Sequence, residues 1–225
     1  MTIADRILFF NQSLNISLKL PKDVGVLNPY LNADTFKLCR QFYEKYYHDT
    51  RQRKIIIGIN PGRLGAGLTG IPFTDPIKLK EKCGIQNDMP KKAELSADFI
   101  YHVIQNMGGP LKFFKKYYFT SVSPLGFIKD GKNLNYYDLP DLRDSLGAFI
   151  IQSLKTQLEF GFSREVCFCL GEGKNFHYVL RLNEKMKFFN RIIPLPHPRY
   201  IMQYKRKQLK KFIDLYTEKL IDTYR

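Results

Sequence analysis

Three polar side chains that could take part in a reaction lie where short apolar runs of the sequence end. Asn60 closes the first run, Ser121 lies at the end of the second, and His197 follows the fourth. An amide does not titrate near neutral pH, so Asn60 can orient a water molecule but cannot act as a general base. A neutral imidazole can donate an N–H group to negative charge that develops on a leaving group. These residue types suit a hydrolysis that expels an anion, without the paired carboxylates of most glycoside hydrolases. The alternatives are that Asn60 begins a turn that ends the strand and that His197 is a structural loop residue.

A glycine-rich stretch, Gly58–Gly70, follows the first apolar run and holds five glycines in thirteen residues. Gly62 and Gly67 have the spacing of a P-loop. The position after Gly67 is Leu68, however, where a P-loop requires the lysine that reaches the nucleotide phosphates. A nucleotide-binding switch or ATPase is therefore disfavoured, and we expect the bare backbone to serve another ligand.

The elements that must position these residues are strands that alternate with helices. Strands are predicted at residues 54–60, 117–123, 165–170 and 190–195. Helices are predicted at 75–84, around 100–107, and at 142–154, 173–186 and 209–220. This alternation predicts an α/β fold: a three-layer α/β/α sandwich with a short, mostly parallel four-stranded central sheet. Ligands bind beyond the carboxyl ends of such strands, where Asn60, Ser121 and His197 stand.

Length and composition indicate one compact domain over residues 1–225. The chain is 44% apolar and 14% aromatic, and neither a repeat nor a long linker divides it. Residues 127–132 are expected to form a hairpin or turn after the second strand. The N-terminal apolar run at residues 7–10 is short and follows Asp5 and Arg6, so it predicts neither a signal peptide nor a membrane span.

The charge of the chain predicts a polyanionic partner. Lysine and arginine number 36 against 21 acidic residues, which gives a net charge of +15. Such an excess favours nucleic acid first and an anionic membrane second. The four cysteines, in contrast, show no C-x-x-C spacing. We interpret them as reduced core residues and not as ligands of zinc or an iron–sulfur cluster.

Two motifs resemble those of the uracil-DNA glycosylase superfamily, and within it the single-strand-selective monofunctional branch. That branch has a first motif G-M-N-P-G-x-F-G-M-x-x-T-G-x-P-F, and residues 58–73 read GINPGRLGAGLTGIPF. Its second motif, H-P-S-P-R, is matched in shortened form by His197-Pro198-Arg199. The likeness extends from about Leu27 to Arg199 and includes three supporting fragments: Leu27-Asn28-Pro29, Pro124-Leu125 and Gly131-Lys132-Asn133-Leu134.

The resemblance implies a role for each matching residue. Asn60 matches the asparagine that positions the attacking water, and His197 matches the histidine that donates to the departing base. Phe73 matches the ring that stacks on the flipped base, so glycines 62, 65 and 67 are expected to let backbone approach that base and the adjoining phosphate. The base-binding set implied is Ile59, Gly62, Phe73 and Ser121.

Ser121 departs from the family pattern. It stands where the branch usually has an asparagine that reads the uracil edge. A hydroxyl cannot make the paired donor and acceptor contacts of a carboxamide. Strict selectivity for uracil is therefore not expected, and oxidised pyrimidines or deaminated purines such as xanthine become candidate substrates. Ser121 as a simple strand cap is the alternative.

The stretch that follows His197 is rich in basic and large side chains and contains no acid up to Lys211. A base-flipping enzyme needs a wedge for the gap in the stack and cations for the phosphates. Tyr200, Ile201 or Met202 is expected to be the wedge. The alternative for the basic residues is a solvated helix face. The predicted DNA-binding set is Arg199, Tyr200, Met202, Lys205, Arg206 and Lys207.

Together these features predict a monofunctional DNA glycosylase. It would flip out and hydrolytically excise uracil or a related deaminated or oxidised base, leaving an abasic site for base excision repair. The partner expected is DNA with damaged bases, single- or double-stranded, and the chain is expected to act as a monomer without metal or cofactor. Its expected location is the cytoplasm, at the nucleoid of a bacterium, or the nucleus of a eukaryote. The alternative is a non-catalytic binder of damaged or single-stranded nucleic acid.

Overall fold

The computed structural model describes residues 1–222 of the chain and contains two sheets. The strands are β1 (Gly25–Leu27), β2 (Lys54–Gly58), β3 (Tyr117–Ser121), β4 (Gly126–Lys129), β5 (Lys132–Leu134), β6 (Val166–Leu170) and β7 (Arg191–Leu195). The central sheet has the order β3-β2-β6-β7, and all of its neighbouring strands are parallel. The four predicted strands and their parallel sheet are thus confirmed.

The helices flank this sheet in two groups. They are α1 (Ile3–Ser13), α2 (Ala33–Tyr47), α3 (Ala66–Thr69), α4 (Pro76–Glu81), α5 (Leu95–Asn106), α6 (Pro110–Phe114), α7 (Pro140–Ser145), α8 (Gly147–Leu158), α9 (Lys174–Met186), α10 (Pro198–Tyr204) and α11 (Leu209–Asp222), with 3-10 turns at Pro29–Leu31 and Arg206–Gln208. α1 packs against α2 and α8, whereas α5 packs against α10 and α11.

Two adjacent residues of β3 place these groups on opposite faces of the sheet. The Tyr117 hydroxyl donates to the Leu220 carbonyl of α11, 2.9 Å away. The ring of Tyr118 meets that of Tyr47 in α2, with centroids 5.9 Å apart. Successive side chains of a strand point to opposite faces. The three-layer α/β/α sandwich is therefore confirmed.

The predicted helices agree with the observed ones in part. Asp75 caps α4 as predicted, because its carboxylate accepts the Lys78 N–H at 2.8 Å. The single helix predicted at 142–154 is two helices, α7 and α8, that meet at Leu146. α1 and α2 were not predicted, although a capping box formed by Thr2 and Asp5 begins the first.

A small antiparallel sheet, β1-β4-β5, lies beside the loop that follows β2. The predicted hairpin is confirmed as β4–β5: its turn residues Asp130 and Gly131 both have positive φ, 51° and 68°, as an Asp-Gly turn of this kind requires. Gly126 at the start of β4 lies directly against the Pro61 carbonyl, where a Cβ would clash. The hairpin therefore fixes the backbone next to Asn60.

The strand order sets where a ligand can bind. From β2 the chain continues to β3 on one side and then crosses to β6 on the other. The crevice at such a switch point opens at the carboxyl ends of the strands. Among residues 1–222, no helix has the length and apolarity needed to cross a membrane.

Candidate active site

A cleft of about 630 Å³ opens at this edge of the sheet. Its volume is in the range of small-molecule sites. The loops after β2, β6 and β7 and the end of β3 line it. Eight of the predicted site residues line this one cleft: Ile59, Asn60, Gly62, Phe73, Ser121, His197, Arg199 and Tyr200.

The Asn60 side chain is held at both ends, mainly by the last residue of β5 and the segment that follows it. Its Oδ1 accepts the Tyr136 backbone N–H at 3.0 Å, and its Nδ2 donates to the Leu134 carbonyl at 3.2 Å and to the Pro61 carbonyl at 3.4 Å. These partners define which end of the amide is oxygen. A carboxamide oxygen has two lone pairs, so Oδ1 keeps one with which it can accept a hydrogen bond from a water molecule.

His197 is a neutral hydrogen-bond donor to the cleft. Its Nδ1 caps α10 by accepting the Arg199 N–H at 3.2 Å, so the proton of the neutral ring resides on Nε2. Burial, with a smaller effect of the Arg199 charge, lowers the pKa of His197 to about 4. Near neutral pH the ring therefore offers one N–H without a positive charge.

The neutral state of His197 predicts a pH dependence of stability. The folded-state pKa is about 4 against a usual value of 6.5, so between these values the unfolded chain binds the extra proton. The free energy of unfolding should therefore decrease as pH falls through this window. His197→Gln should lack this component, as measured by urea titration of both proteins at about pH 7.5 and about pH 4.5. An equal decrease in both proteins would contradict the assignment.

Phe73 and Ser121 lie next to each other over a bare strand position. A Cβ on Gly58 would stand 2.7 Å from Phe73 Cζ and 3.6 Å from Ser121 Oγ. Phe73 has a φ of 55°, unusual for a phenylalanine, and its ring centroid is 5.2 Å from that of Phe119 in the core. Glycine at 58 thus makes room for the Phe73 ring, which forms an apolar wall of the cleft beside one hydroxyl.

The other glycines of the first motif serve different purposes. Gly62 lines the cleft. A Cβ on Gly67 would stand 2.8 Å from the Gly62 carbonyl oxygen, and one on Gly65 would stand 3.1 Å from Glu94 Oε2. Neither Gly65 nor Gly67 lines the cleft. Gly67 lets the loop fold tightly on itself and Gly65 lets it pack against Glu94, while the expected approach of this backbone to a base and its phosphate stays a prediction.

The segment after His197 is exposed only in part. Ile201 is fully buried and Met202 is 4% exposed, because α10 packs this side against α5. The prediction that Ile201 or Met202 is an exposed wedge is therefore wrong. The prediction that Met202 contacts DNA is wrong for the same reason, because its side chain is buried. Tyr200 is 46% and Tyr204 72% exposed, with ring centroids 5.6 Å apart at the cleft.

Arg199 lines the cleft, whereas the other three predicted basic residues of this segment, Lys205, Arg206 and Lys207, lie outside it. Lys205 is half-buried, whereas Arg206 and Lys207 are exposed and form a 3-10 turn between α10 and α11. None of the three lines the cleft. They follow Tyr204, which lines the cleft, and their predicted contact with DNA stays a prediction.

Several cleft residues were missed by the sequence analysis. Glu94 lines the cleft and caps α5, and burial raises its pKa. Gly171 to Asn175 also line it, directly after β6. The position after the third predicted strand was the available signal for that segment, because every other parallel strand contributes there. Glu94 lies far from any predicted strand and offered no such signal.

The cysteines are buried and free, as predicted. Burial raises the pKa of Cys169 to about 12, so its thiol stays protonated. Within residues 1–222, His, Cys, Asp and Glu side chains nowhere gather in a group of three that could hold a metal ion.

Comparison with known proteins agrees with this fold. A family model described as the uracil DNA glycosylase superfamily matches residues 44–221. Among solved structures, the chain is similar to the crystal structure of wild-type Pedobacter heparinus SMUG2, with 41% sequence identity and a TM-score of 0.96. That alignment covers 100% of this chain and 99% of the other. The chain therefore belongs to the uracil-DNA glycosylase superfamily and resembles its single-strand-selective monofunctional branch.

Proposed function

We propose that this protein is a monofunctional DNA glycosylase that excises uracil, and related deaminated or oxidised bases, from DNA in base excision repair. The observation that carries the proposal is one cleft that holds Asn60, Phe73 and His197 together, with His197 as a neutral N–H donor. An everted base would lie against Phe73, with one carbonyl toward His197.

The reaction follows from these groups. As the bond between C1′ and the base nitrogen breaks, its electron pair leaves with the base, and the sugar becomes positively charged. The Nε2–H of His197 donates a hydrogen bond to the base oxygen on which the negative charge accumulates. Asn60 Oδ1 orients a water molecule, whose oxygen bonds to C1′ and whose proton passes to solvent or to the departing base. Because Asn60 is an amide and not an amine, no Schiff base with the sugar forms at this position.

The preferred base depends on Ser121 in this proposal. Its hydroxyl, 7% exposed at the end of β3, can donate or accept a single hydrogen bond. We propose that this single contact allows the cleft to bind several bases that have a carbonyl at the matching position, including xanthine. A panel of oligonucleotides with uracil, hydroxymethyluracil, hypoxanthine or xanthine, analysed for free base and abasic sites, tests this. Release of no base from any of them would leave the non-catalytic binder as the better explanation.

Lys205, Arg206 and Lys207, here called the basic turn, should control DNA binding and not the rate of excision. Replacing Lys205, Arg206 and Lys207 together with alanine should weaken DNA binding and make its salt dependence shallower. The log–log slope should fall by about 0.7–0.9 for each phosphate that the protein no longer neutralises. The excision rate of bound DNA should not change. Fluorescence anisotropy at several salt concentrations measures the slope.

A matched control removes three cations at the opposite edge of the sheet. Lys155, Arg164 and Lys185 are exposed and lie near the ends of helices or strands remote from the cleft. Their triple alanine variant has the same net charge as the first variant. An equal change of slope in both would show that total charge, and not the basic turn, determines binding.

The remaining properties are proposals of the same kind. We propose a single domain, supported by one buried cluster that includes residues from Ile3 to Leu220. We also propose that the chain works as a monomer without a cofactor. Its proposed location is wherever the cell keeps its DNA, in the cytoplasm of a bacterium or the nucleus of a eukaryote.

A further inference from the structure

A buried pair of side chains connects two of the loops that form the cleft. Tyr136 is fully buried and Asn175 is 2% exposed. The Tyr136 hydroxyl donates to Asn175 Oδ1 at 3.0 Å. Tyr136 lies between β5 and α7, and Asn175 is in the first turn of α9. Their hydrogen bond therefore joins segments that are 39 residues apart in the chain.

On one side this pair reaches Asn60. The backbone N–H that Asn60 Oδ1 accepts belongs to Tyr136 itself. The Tyr136 ring packs edge-on against Tyr137 and Tyr178, with centroids 5.0 and 4.9 Å away. Tyr136 therefore contacts Asn60 through its backbone N–H and Asn175 through its hydroxyl, so one residue connects the two amides.

On the other side the pair reaches His197. Asn175 Nδ2 donates to the Leu170 carbonyl at 3.0 Å, at the end of β6. Next to it, Gly171 has a φ of 106°, and a Cβ there would stand 3.7 Å from Asn175 Cβ and 3.8 Å from His197 Cδ2. Asn175 and His197 thus pack on the same glycine. Neither Tyr136 nor Asn175 has a part in the chemistry described above.

We propose that Tyr136 and Asn175 are positioning residues for excision: their hydrogen bond fixes the position of the Asn60 amide relative to the His197 imidazole. This inference rests on the proposed function. Water must attack while charge develops on the base, and a displacement of about 1 Å can cost about 100-fold in rate. Low-dielectric burial makes such a fully satisfied link rigid.

Tyr136→Phe tests the link because it removes the hydroxyl and keeps the ring. We expect the single-turnover rate on a uracil-containing oligonucleotide to fall between about 10- and 100-fold, with the dissociation constant for that DNA unchanged. Asn175→Ala should lower the rate similarly. The double variant should be no slower than Asn175→Ala alone, because the Tyr136–Asn175 hydrogen bond that Tyr136→Phe removes is already absent there.

Tyr118→Phe is the matched control. It removes another buried tyrosine hydroxyl that donates to a carboxamide, Gln157 Oε1, at 3.1 Å. A similar loss of thermal stability is expected, with the excision rate unchanged. An equal fall in rate in this control, an unchanged rate in Tyr136→Phe, or a Tyr136→Phe protein that does not fold would each overturn the inference. If the unsubstituted protein releases no base, the proposed function itself fails, which is a distinct result.

Discussion

Replacing His197 with alanine should lower the single-turnover excision rate by about 100- to 1,000-fold, while the affinity for uracil-containing DNA stays close to that of the unsubstituted protein. The reason is that the Nε2–H stabilises charge that exists only as the base departs. Removal of one such donor from an enclosed site raises the barrier by about 2.7–4 kcal/mol. Little of this interaction is present before the bond breaks, so binding should change little.

Two further variants make this result specific. His197→Gln keeps a neutral N–H donor of different reach, so it should retain more activity than His197→Ala. His177→Ala is the control, because His177 is an exposed histidine of α9 whose Nδ1 lies 2.9 Å from the Gly173 carbonyl. Its rate should equal that of the unsubstituted protein. A His197→Ala protein that excised uracil at the normal rate would refute the role given to the imidazole.

Replacing Asn60 with alanine should lower the excision rate by about 100-fold or more, because the water loses the acceptor that orients it. The same change deprives Tyr136 N–H and the Leu134 carbonyl of their partner, so a loss of stability of about 1–3 kcal/mol should accompany it. The rate must therefore be measured at a temperature well below the midpoint of unfolding.

Asn60→Asp separates the two effects. A carboxylate can still accept hydrogen bonds from the Tyr136 N–H and from water, but it cannot donate one to the Leu134 carbonyl. We expect it to excise uracil faster than Asn60→Ala despite a comparable loss of stability. Asn106→Ala, at the end of α5, removes an exposed asparagine that donates to Thr217 Oγ1 at 3.0 Å and serves as the control. Normal activity in Asn60→Ala would show that another group positions the water.

The short apolar runs, and the Gly, Pro or Ser residues that end them, were sufficient to predict the central sheet. β2, β3 and β6 are short, largely apolar runs, as burial on both faces of a parallel sheet requires, and the partly exposed edge strand β7 is also short and mostly apolar. The resemblance of residues 58–73 to the first motif of the superfamily identified Asn60 and Phe73, since that motif is one contiguous stretch. Short elements such as β1 went unpredicted because three residues carry no measurable period.

Apolar runs and their spacing thus determined the fold class, and resemblance to two contiguous motifs indicated the family and the candidate site residues Asn60, Phe73 and His197. Only the tertiary structure decided which of their neighbours take part. Met202 and Tyr200 look equivalent in sequence, yet packing of α10 on α5 buries one and exposes the other. The same holds for Tyr136 and Asn175, whose hydrogen bond joins distant segments. Burial and long-range pairing depend on how whole elements pack, which no local pattern records.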